Sequence, residues 1–171
     1  MKDIRKLFRD AISRLKERGH KTLYVAVDAH GTIIRPSKKT VMQMADGDDK
    51  PSEVVCRCGC TPEFEFYPYA RIALASMADA GVRLILWTST LDSYGLLQRL
   101  RREGIGITDF NDNPDFRLTP YADFSKKFYF DVLLDDKAGF DPMHDWEKIF
   151  EIDFDKELKQ EGSANERERE R

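Results

Sequence analysis

Three short apolar runs recur along the chain, and each of them ends in polar residues. The runs are residues 23–27, 84–87 and 132–134. A short, continuous apolar run is typical of a strand that is buried on both faces of a parallel sheet. A weaker run at residues 105–110 predicts a fourth strand. Trp87, the last residue of the second run, is expected in the core.

Helical segments alternate with these runs. Apolar residues at helical spacing predict an amphipathic helix over residues 2–18. Residues 68–80 and 91–103 predict two more helices, because each segment is followed by a glycine at the position where helices commonly end. An Asp-Pro pair at the start of residues 141–150 predicts an N-cap and the first residue of another helix.

This alternation predicts an α/β fold, a three-layer, Rossmann-like parallel sheet. Residues 35–66 interrupt it, since about thirty residues separate the first strand from the next helix, where a few are usual. We expect this insertion to form a small cap over the edge where such sheets bind ligands. The alternative is a surface loop without a chemical role. The core with its cap is predicted to span residues 1–154, and residues 155–171 to form a charged tail, frayed or disordered.

Composition places limits on the class of protein. The 171 residues include 28 Lys and Arg and 31 Asp and Glu, a formal net charge of −3. This length fits one domain, and the charge gives no general attraction to nucleic acid. No apolar run approaches the ~18 residues of a membrane span, and the N-terminal segment lacks the apolar stretch of a signal peptide. We therefore expect a cytoplasmic protein without membrane association.

Acidic residues follow two of the three apolar runs. Asp28 ends the first run, and Asp135 and Asp136 follow the third. Because the carboxyl ends of parallel strands meet at one edge of a sheet, these carboxylates would repel one another unless a cation lay between them. Mg²⁺ suits such a site, since it prefers hard oxygen ligands and accepts a phosphate oxygen.

Groups that bind an anion are predicted beside these acids. Thr88 and Ser89 follow the second run, and Lys126 and Lys127 lie just upstream of the third. A hydroxyl and a lysine would bind the same phosphoryl group, so the pattern favours phosphoryl transfer. The other interpretation is an ordinary α/β domain with acids at its loop edges.

In these residues the sequence resembles the haloacid dehalogenase superfamily. Residues 24–33 are similar to its first motif, an apolar strand followed by Asp, any residue, usually a second Asp, and Gly-Thr. Residues 84–88 match the second motif, an apolar strand that ends in Thr or Ser. Lys127 matches the third motif, and residues 132–136 match the fourth, a strand that ends in two acids. The local pattern after Lys127 also resembles that of small, minimally capped members, and it favours Lys127 over Lys126.

The resemblance implies roles for the matching residues. Asp28 would attack the substrate phosphorus and form an aspartyl phosphate. Thr88 would donate a hydrogen bond to the phosphoryl group, and Lys127 would neutralise its charge. The implied phosphate-binding set is Gly31, through its backbone amide, with Thr32, Thr88, Ser89 and Lys127.

The resemblance also implies a magnesium site and a departure from the usual acid/base residue. Asp28, Asp135, Asp136 and the backbone carbonyl of His30 would hold Mg²⁺. His30 stands where phosphatases of this superfamily usually have the Asp that protonates the leaving oxygen and deprotonates the attacking water. An imidazole has a suitable pKa near ~6.5, but its reach and its cationic form beside Mg²⁺ count against it.

Three interpretations follow from His30. The chain is a Mg²⁺-dependent hydrolase of a small phosphomonoester with His30 as its acid and base, or it is a slow or degenerate enzyme. In the third, a related reaction takes its acid from elsewhere, including the cap. The competing class is a non-catalytic module of this fold that binds a phosphorylated ligand or partner. A nucleotide or a nucleic-acid end is a further candidate substrate, because some minimally capped relatives act on such ends.

The cysteines form a separate candidate site. Cys56, Cys58 and Cys60 are the only cysteines in the sequence. Zinc usually takes four ligands and favours Cys-x-x-Cys spacing, so a fourth ligand would have to come from a histidine, an acid or a second subunit. We therefore favour reduced thiols on the cap over a Zn²⁺ site.

Overall fold

The computed structural model describes residues 3–36, 64–89, 93–116, 123–124 and 127–159. Most of the predicted cap, with all three cysteines, lies outside these ranges, as do Lys126 and residues 160–171. Among the helices of the described ranges, none combines the length and the apolar character that crossing a membrane requires.

A parallel sheet forms the centre of the fold. The strands in chain order are β1 (Tyr24–Asp28), β2 (Ile34–Pro36), β3 (Phe64–Phe66), β4 (Arg83–Trp87), β5 (Ile107–Phe110) and β6 (Val132–Leu134). Four of them form one parallel sheet in the order β5-β4-β1-β6. The predicted parallel α/β sheet is thus confirmed, and β1 lies between the two other strands whose ends carry candidate chemistry.

Helices follow or precede most of these strands. They are α1 (Ile4–Glu17), α2 (Ala70–Asp79), α3 (Ser93–Arg102), a 3₁₀ turn (Asp136–Ala138), α4 (Asp145–Phe150) and α5 (Phe154–Lys159). The first three confirm the predicted helices, with ends that differ by one or two residues. Asp3 begins α1, since its carboxylate accepts a hydrogen bond of 3.0 Å from the N–H of Arg5.

The two faces of the sheet are covered by different kinds of structure. Val25 and Val27 point to a first face, where they pack with the buried side chains of α1 to α5. Tyr24 and Ala26 point to the second face, where the described neighbours are aromatic residues outside helices. Those neighbours are Phe116, Phe128, Tyr129 and Phe130. In the described ranges, therefore, the helices pack on one face, and the predicted third layer is an aromatic, non-helical segment.

The two ends of the insertion meet. β2 and β3 pair antiparallel, with Ile34 opposite Phe66. The guanidinium of Arg99 on α3 lies 4.0 Å from the ring centroid of Phe64, a cation–π contact that joins this ribbon to the core. The insertion thus leaves the core and returns to it at one place.

The helix predicted from residue 141 begins later. Asp141 holds a turn instead: its carboxylate accepts a hydrogen bond of 3.0 Å from the N–H of Met143, and its carbonyl accepts one of 2.7 Å from the N–H of Asp145. Pro142 lies in this turn, and α4 starts at Asp145. The prediction that Pro142 is the first helical residue is therefore wrong.

The predicted boundary between core and tail falls inside a helix. Phe154 is buried and packs edge to face on Phe8, with ring centroids 5.2 Å apart. Leu158, one turn later, packs against the same core. Phe154 and Leu158 are four residues apart, so they lie on the same face of the helix. Residues 155–159 therefore belong to α5, and the expectation of a frayed or disordered tail is wrong for them.

Candidate metal and phosphate site

Three carboxylates meet at the carboxyl edge of the sheet. Asp28 ends β1, and Asp135 directly follows β6. Val27 lies opposite Leu134 in the paired strands, so Asp28 and Asp135 leave the sheet side by side. One oxygen from each of Asp28, Asp135 and Asp136 lies within 4.8 Å of the others. Within the described ranges, this is the one group of His, Cys, Asp and Glu side chains with the spacing of metal ligands.

The hydroxyl of Thr32 links two members of this group, Asp28 and Asp136. It accepts a hydrogen bond of 3.0 Å from the N–H of Asp136 and lies 3.5 Å from Oδ2 of Asp28, to which it donates. From the core side, the indole N–H of Trp146 donates to the carbonyl of Thr32 at 2.8 Å. Thr32 is fully buried. Thr32 thus positions Asp28 and Asp136 relative to each other, and its predicted contact with a phosphate stays a prediction.

Gly31 allows the loop after β1 to approach the acids closely. Its φ is +86°, and a Cβ at this position would lie 2.8 Å from Oδ2 of Asp136. A side chain would thus be both strained and in collision. The N–H of Gly31 donates to the carbonyl of Ile34 at 2.9 Å. Gly31 therefore contributes space beside Asp136, and the predicted contact of its amide with a phosphoryl group stays a prediction.

The electrostatics of the site favour a cation. Burial raises the pKa of Asp28 to about 6; a hydrogen bond from the N–H of Ala29 and the charge of Lys137 oppose the rise, and the charges of Asp135 and Asp136 add to it. The Nζ of Lys137 lies 3.9 Å from Oδ1 of Asp136, but its side chain is 82% exposed. Such a lysine compensates little of the repulsion.

The donor set fits a hard divalent cation. Carboxylate oxygens from two adjacent strands converge, and all three side chains are partly open to solvent. Oxygen ligands of this kind are those that Mg²⁺ prefers, with water or phosphate oxygens in the remaining positions. The sequence analysis assigned no role to Lys137, although its position directly after Asp135 and Asp136 indicates that it lies near these acids.

A second cluster lies at the end of β4. Thr88 is buried and follows Trp87, whose Cα pairs with that of Asp28. The side chain of Asn111 accepts a hydrogen bond of 2.9 Å from the N–H of Thr88 and donates to its carbonyl. Asn111 has a φ of 47°, a conformation that Asn tolerates better than most residues. Asn111 thus fixes the backbone of Thr88, a role that the sequence analysis missed.

The remaining predicted site residues lie at the surface. His30 is exposed and forms an isolated bridge with Ile34, in the loop after β1. Ser89 is exposed just after Thr88. Lys127 is exposed and precedes Phe128, whose ring lies against Trp87. The described structure therefore brings the acids together, and it gives His30, Ser89 and Lys127 surface positions.

Trp87 differs from its predicted place in the core. The residues before it in β4, Leu84 to Leu86, are buried, whereas Trp87 is 36% exposed. Trp87 is the last residue of β4, so no further strand residue follows it at this edge of the sheet. A large apolar side chain is thus partly open to solvent at the edge that carries the acids.

No protein-family model matches the chain, and no curated protein or solved structure matches it significantly. The resemblance to the haloacid dehalogenase superfamily is carried by the motif residues alone.

Proposed function

We propose that the chain is a Mg²⁺-dependent hydrolase of phosphomonoesters that works through an aspartyl phosphate on Asp28, as the superfamily resemblance implies. The observation that supports this most is the convergence of Asp28, Asp135 and Asp136, with one oxygen of each within 4.8 Å of the others. A nucleophilic carboxylate at the end of a central strand, beside further acids, is suited to phosphoryl transfer.

The three carboxylates and the backbone carbonyl of His30 would hold the ion. Bound there, Mg²⁺ would supply positive charge to the phosphoryl oxygens. Thr88 would donate a hydrogen bond to the same oxygens, and Lys127 would add charge from the surface. The two hydrogen bonds between the side chain of Asn111 and the backbone of Thr88 support a fixed position for the hydroxyl of Thr88.

Two steps would make up the reaction. In the first, a carboxylate oxygen of Asp28 bonds to phosphorus, the bond from phosphorus to the leaving oxygen breaks, and the imidazolium of His30 gives that oxygen a proton. In the second, water bonds to phosphorus while His30 takes its proton. The bond between phosphorus and Asp28 then breaks, which releases inorganic phosphate and restores the carboxylate.

The insertion would set the size of the substrate. Its two ends pair as β2 and β3 just after the loop that carries His30. A cap rooted there would cover the acids, so a small phosphomonoester is the proposed substrate. The finer reading of the fold, a haloacid dehalogenase core with a small cap, is part of this proposal.

One observation favours a second candidate function. His30 occupies the position of the usual acid/base Asp, and its side chain is exposed. If this imidazole does not move protons during the reaction, the chain is a module that binds a phosphorylated ligand or partner through the same carboxylates and Mg²⁺.

The proposal is tested with the purified chain and an aryl phosphate, with and without Mg²⁺. We expect turnover that depends on Mg²⁺ and that falls on the order of 10³-fold or more in Asp28→Asn. Asp79→Asn is the matched control, because Asp79 is an exposed acid on α2. Turnover that survives in Asp28→Asn would exclude Asp28 as the nucleophile.

The role of His30 is tested with His30→Ala and His30→Asp. An aryl leaving group needs little protonation, so His30→Ala should still form the aspartyl phosphate but hydrolyse it slowly. Intact-protein mass spectrometry after acid quench should then show the phosphorylated chain. An inert natural chain that gains turnover in His30→Asp would instead support the binding module.

A further inference from the structure

An aromatic side chain lies next to the proposed nucleophile. Trp87 of β4 and Asp28 of β1 are register partners in neighbouring parallel strands. Such strands run ~4.8 Å apart, and residues in register point to the same face of the sheet. Indole and carboxylate therefore leave the sheet side by side.

The indole of Trp87 is held by other rings and is still partly open. Its centroid lies 5.3 Å from that of Phe128 and 6.3 Å from that of Phe130. Phe128 is 8% exposed, whereas Trp87 is 36% exposed. We call these three residues the aromatic wall. The contacts behind the indole fix its orientation, while about a third of its surface faces outward.

The chain neighbours of the aromatic wall are the proposed phosphate contacts. Thr88 directly follows Trp87, and Lys127 directly precedes Phe128. The aromatic wall is thus an apolar surface that adjoins the acids.

We propose that the aromatic wall binds a planar aromatic ring carried by the leaving group of the phosphomonoester, with Trp87 as the residue that determines this specificity. This inference rests on the proposed function. A ring stacked on the indole gains an interaction that an aliphatic group of the same size does not, worth about tenfold in binding or turnover. An aryl or benzyl phosphate and a nucleotide share this chemistry.

The kinetic test compares benzyl phosphate with cyclohexylmethyl phosphate. Both release a primary alcohol of similar size, so the chemistry of the leaving oxygen is matched. We expect kcat/KM to favour the benzyl ester by about tenfold. Trp87→Leu should bring the ratio close to one, and Trp87→Phe, which keeps a ring, should restore part of it. The same ratio in the natural chain and in Trp87→Leu would overturn the inference.

A binding test separates this inference from the proposed function. Benzylphosphonate and cyclohexylmethylphosphonate have no ester bond to cleave, and calorimetry in the presence of Mg²⁺ measures their affinities directly. We expect benzylphosphonate to bind about tenfold more tightly, and Trp87→Leu to remove the difference. If that result is obtained and the chain cleaves no ester, the inference stands and the proposed function is wrong. If the two phosphonates bind equally and both phosphate esters are cleaved rapidly, the proposed function stands and the inference is wrong.

The same design tells the two sources of the ring apart. A nucleoside 5′-monophosphate is compared with ribose 5-phosphate, which carries the sugar and the phosphate without the base. A gain with the base that Trp87→Leu removes supports the inference with a nucleotide as substrate. If only benzyl phosphate is preferred over its cyclohexyl partner, the inference holds for a ring that lies close to the phosphate. If neither ring-bearing compound is preferred over its partner, the inference is wrong.

Discussion

At the carboxyl edge of the sheet three carboxylates face one another, whereas at the opposite edge the acidic side chains face hydrogen-bond donors. There, Asp131 accepts a hydrogen bond of 2.9 Å from the N–H of Tyr24 and another from the hydroxyl of Tyr129. Asp115 accepts one of 3.0 Å from the hydroxyl of Tyr24. Arg83 pairs with Asp109 at 3.1 Å.

The difference separates acids whose charge is met by donors within the fold from acids whose charge is not. An acid with two donors lowers the energy of the folded chain by itself. Acids that face one another do not, and the pKa of Asp28 is raised to about 6, first by burial and then by the charges of Asp135 and Asp136. Composition does not distinguish the two edges, since both are rich in Asp.

The largest effect on stability is expected from Asp131→Ala. The change leaves the N–H of Tyr24 and the hydroxyl of Tyr129 without this partner, so the free energy of unfolding should fall by about 3 kcal/mol. Asp131→Asn keeps an acceptor and should cost less. Urea unfolding without metal measures both variants.

The matched variant at the carboxyl edge is Asp28→Asn. It removes a half-buried charge that repels two others, so the metal-free chain should unfold at the same or a higher urea concentration. A loss of stability as large as that in Asp131→Ala would mean that the two edges do not differ.

A smaller effect is expected from Gly31→Ala, with Gly81→Ala as its control. Both glycines have a φ of +86°, but a Cβ at Gly81 meets nothing within 4 Å. Gly81→Ala should therefore lose about 1 kcal/mol from backbone strain alone. Gly31→Ala should lose more and should also weaken Mg²⁺ binding, because its Cβ would displace the carboxylate of Asp136. Calorimetric titration with Mg²⁺ measures this, and unchanged affinity would contradict the contact.

The smallest effect is expected at alkaline pH. Burial, followed by the hydrogen bonds to Asp115 and Asp131, raises the pKa of Tyr24 and of Tyr129 from 10.0 to about 12. Between these values the unfolded chain has lost protons that the folded chain keeps, so the free energy of unfolding falls as the pH rises. Urea unfolding across this range measures the decline. Tyr129→Phe should make the decline shallower, and an unchanged slope would rule out the contribution of Tyr129.

The elements that depend on the local pattern of apolar and polar residues could be predicted from the sequence. Apolar runs bounded by charge indicated β1, β4 and β6, and parallel pairing implied that Asp28 and Asp135 lie at the same edge of the sheet. The runs did not predict that β1 and β6 are neighbours, which brings the two acids side by side. The parts that depend on contacts distant in sequence could not be predicted. Asn111, after β5, bonds to Thr88, after the neighbouring β4. Thr32 joins Asp28 to Asp136, and Phe154 of α5 packs on Phe8 of α1.

The pairing of β2 with β3 makes the insertion modular. Because Ile34 and Phe66 face each other across this ribbon, the main chain on either side of the insertion is already in hairpin geometry. Segments of very different length can replace one another between such points without stretching the core. The sheet edge and its acids can therefore be kept while the segment between β2 and β3 is exchanged for another.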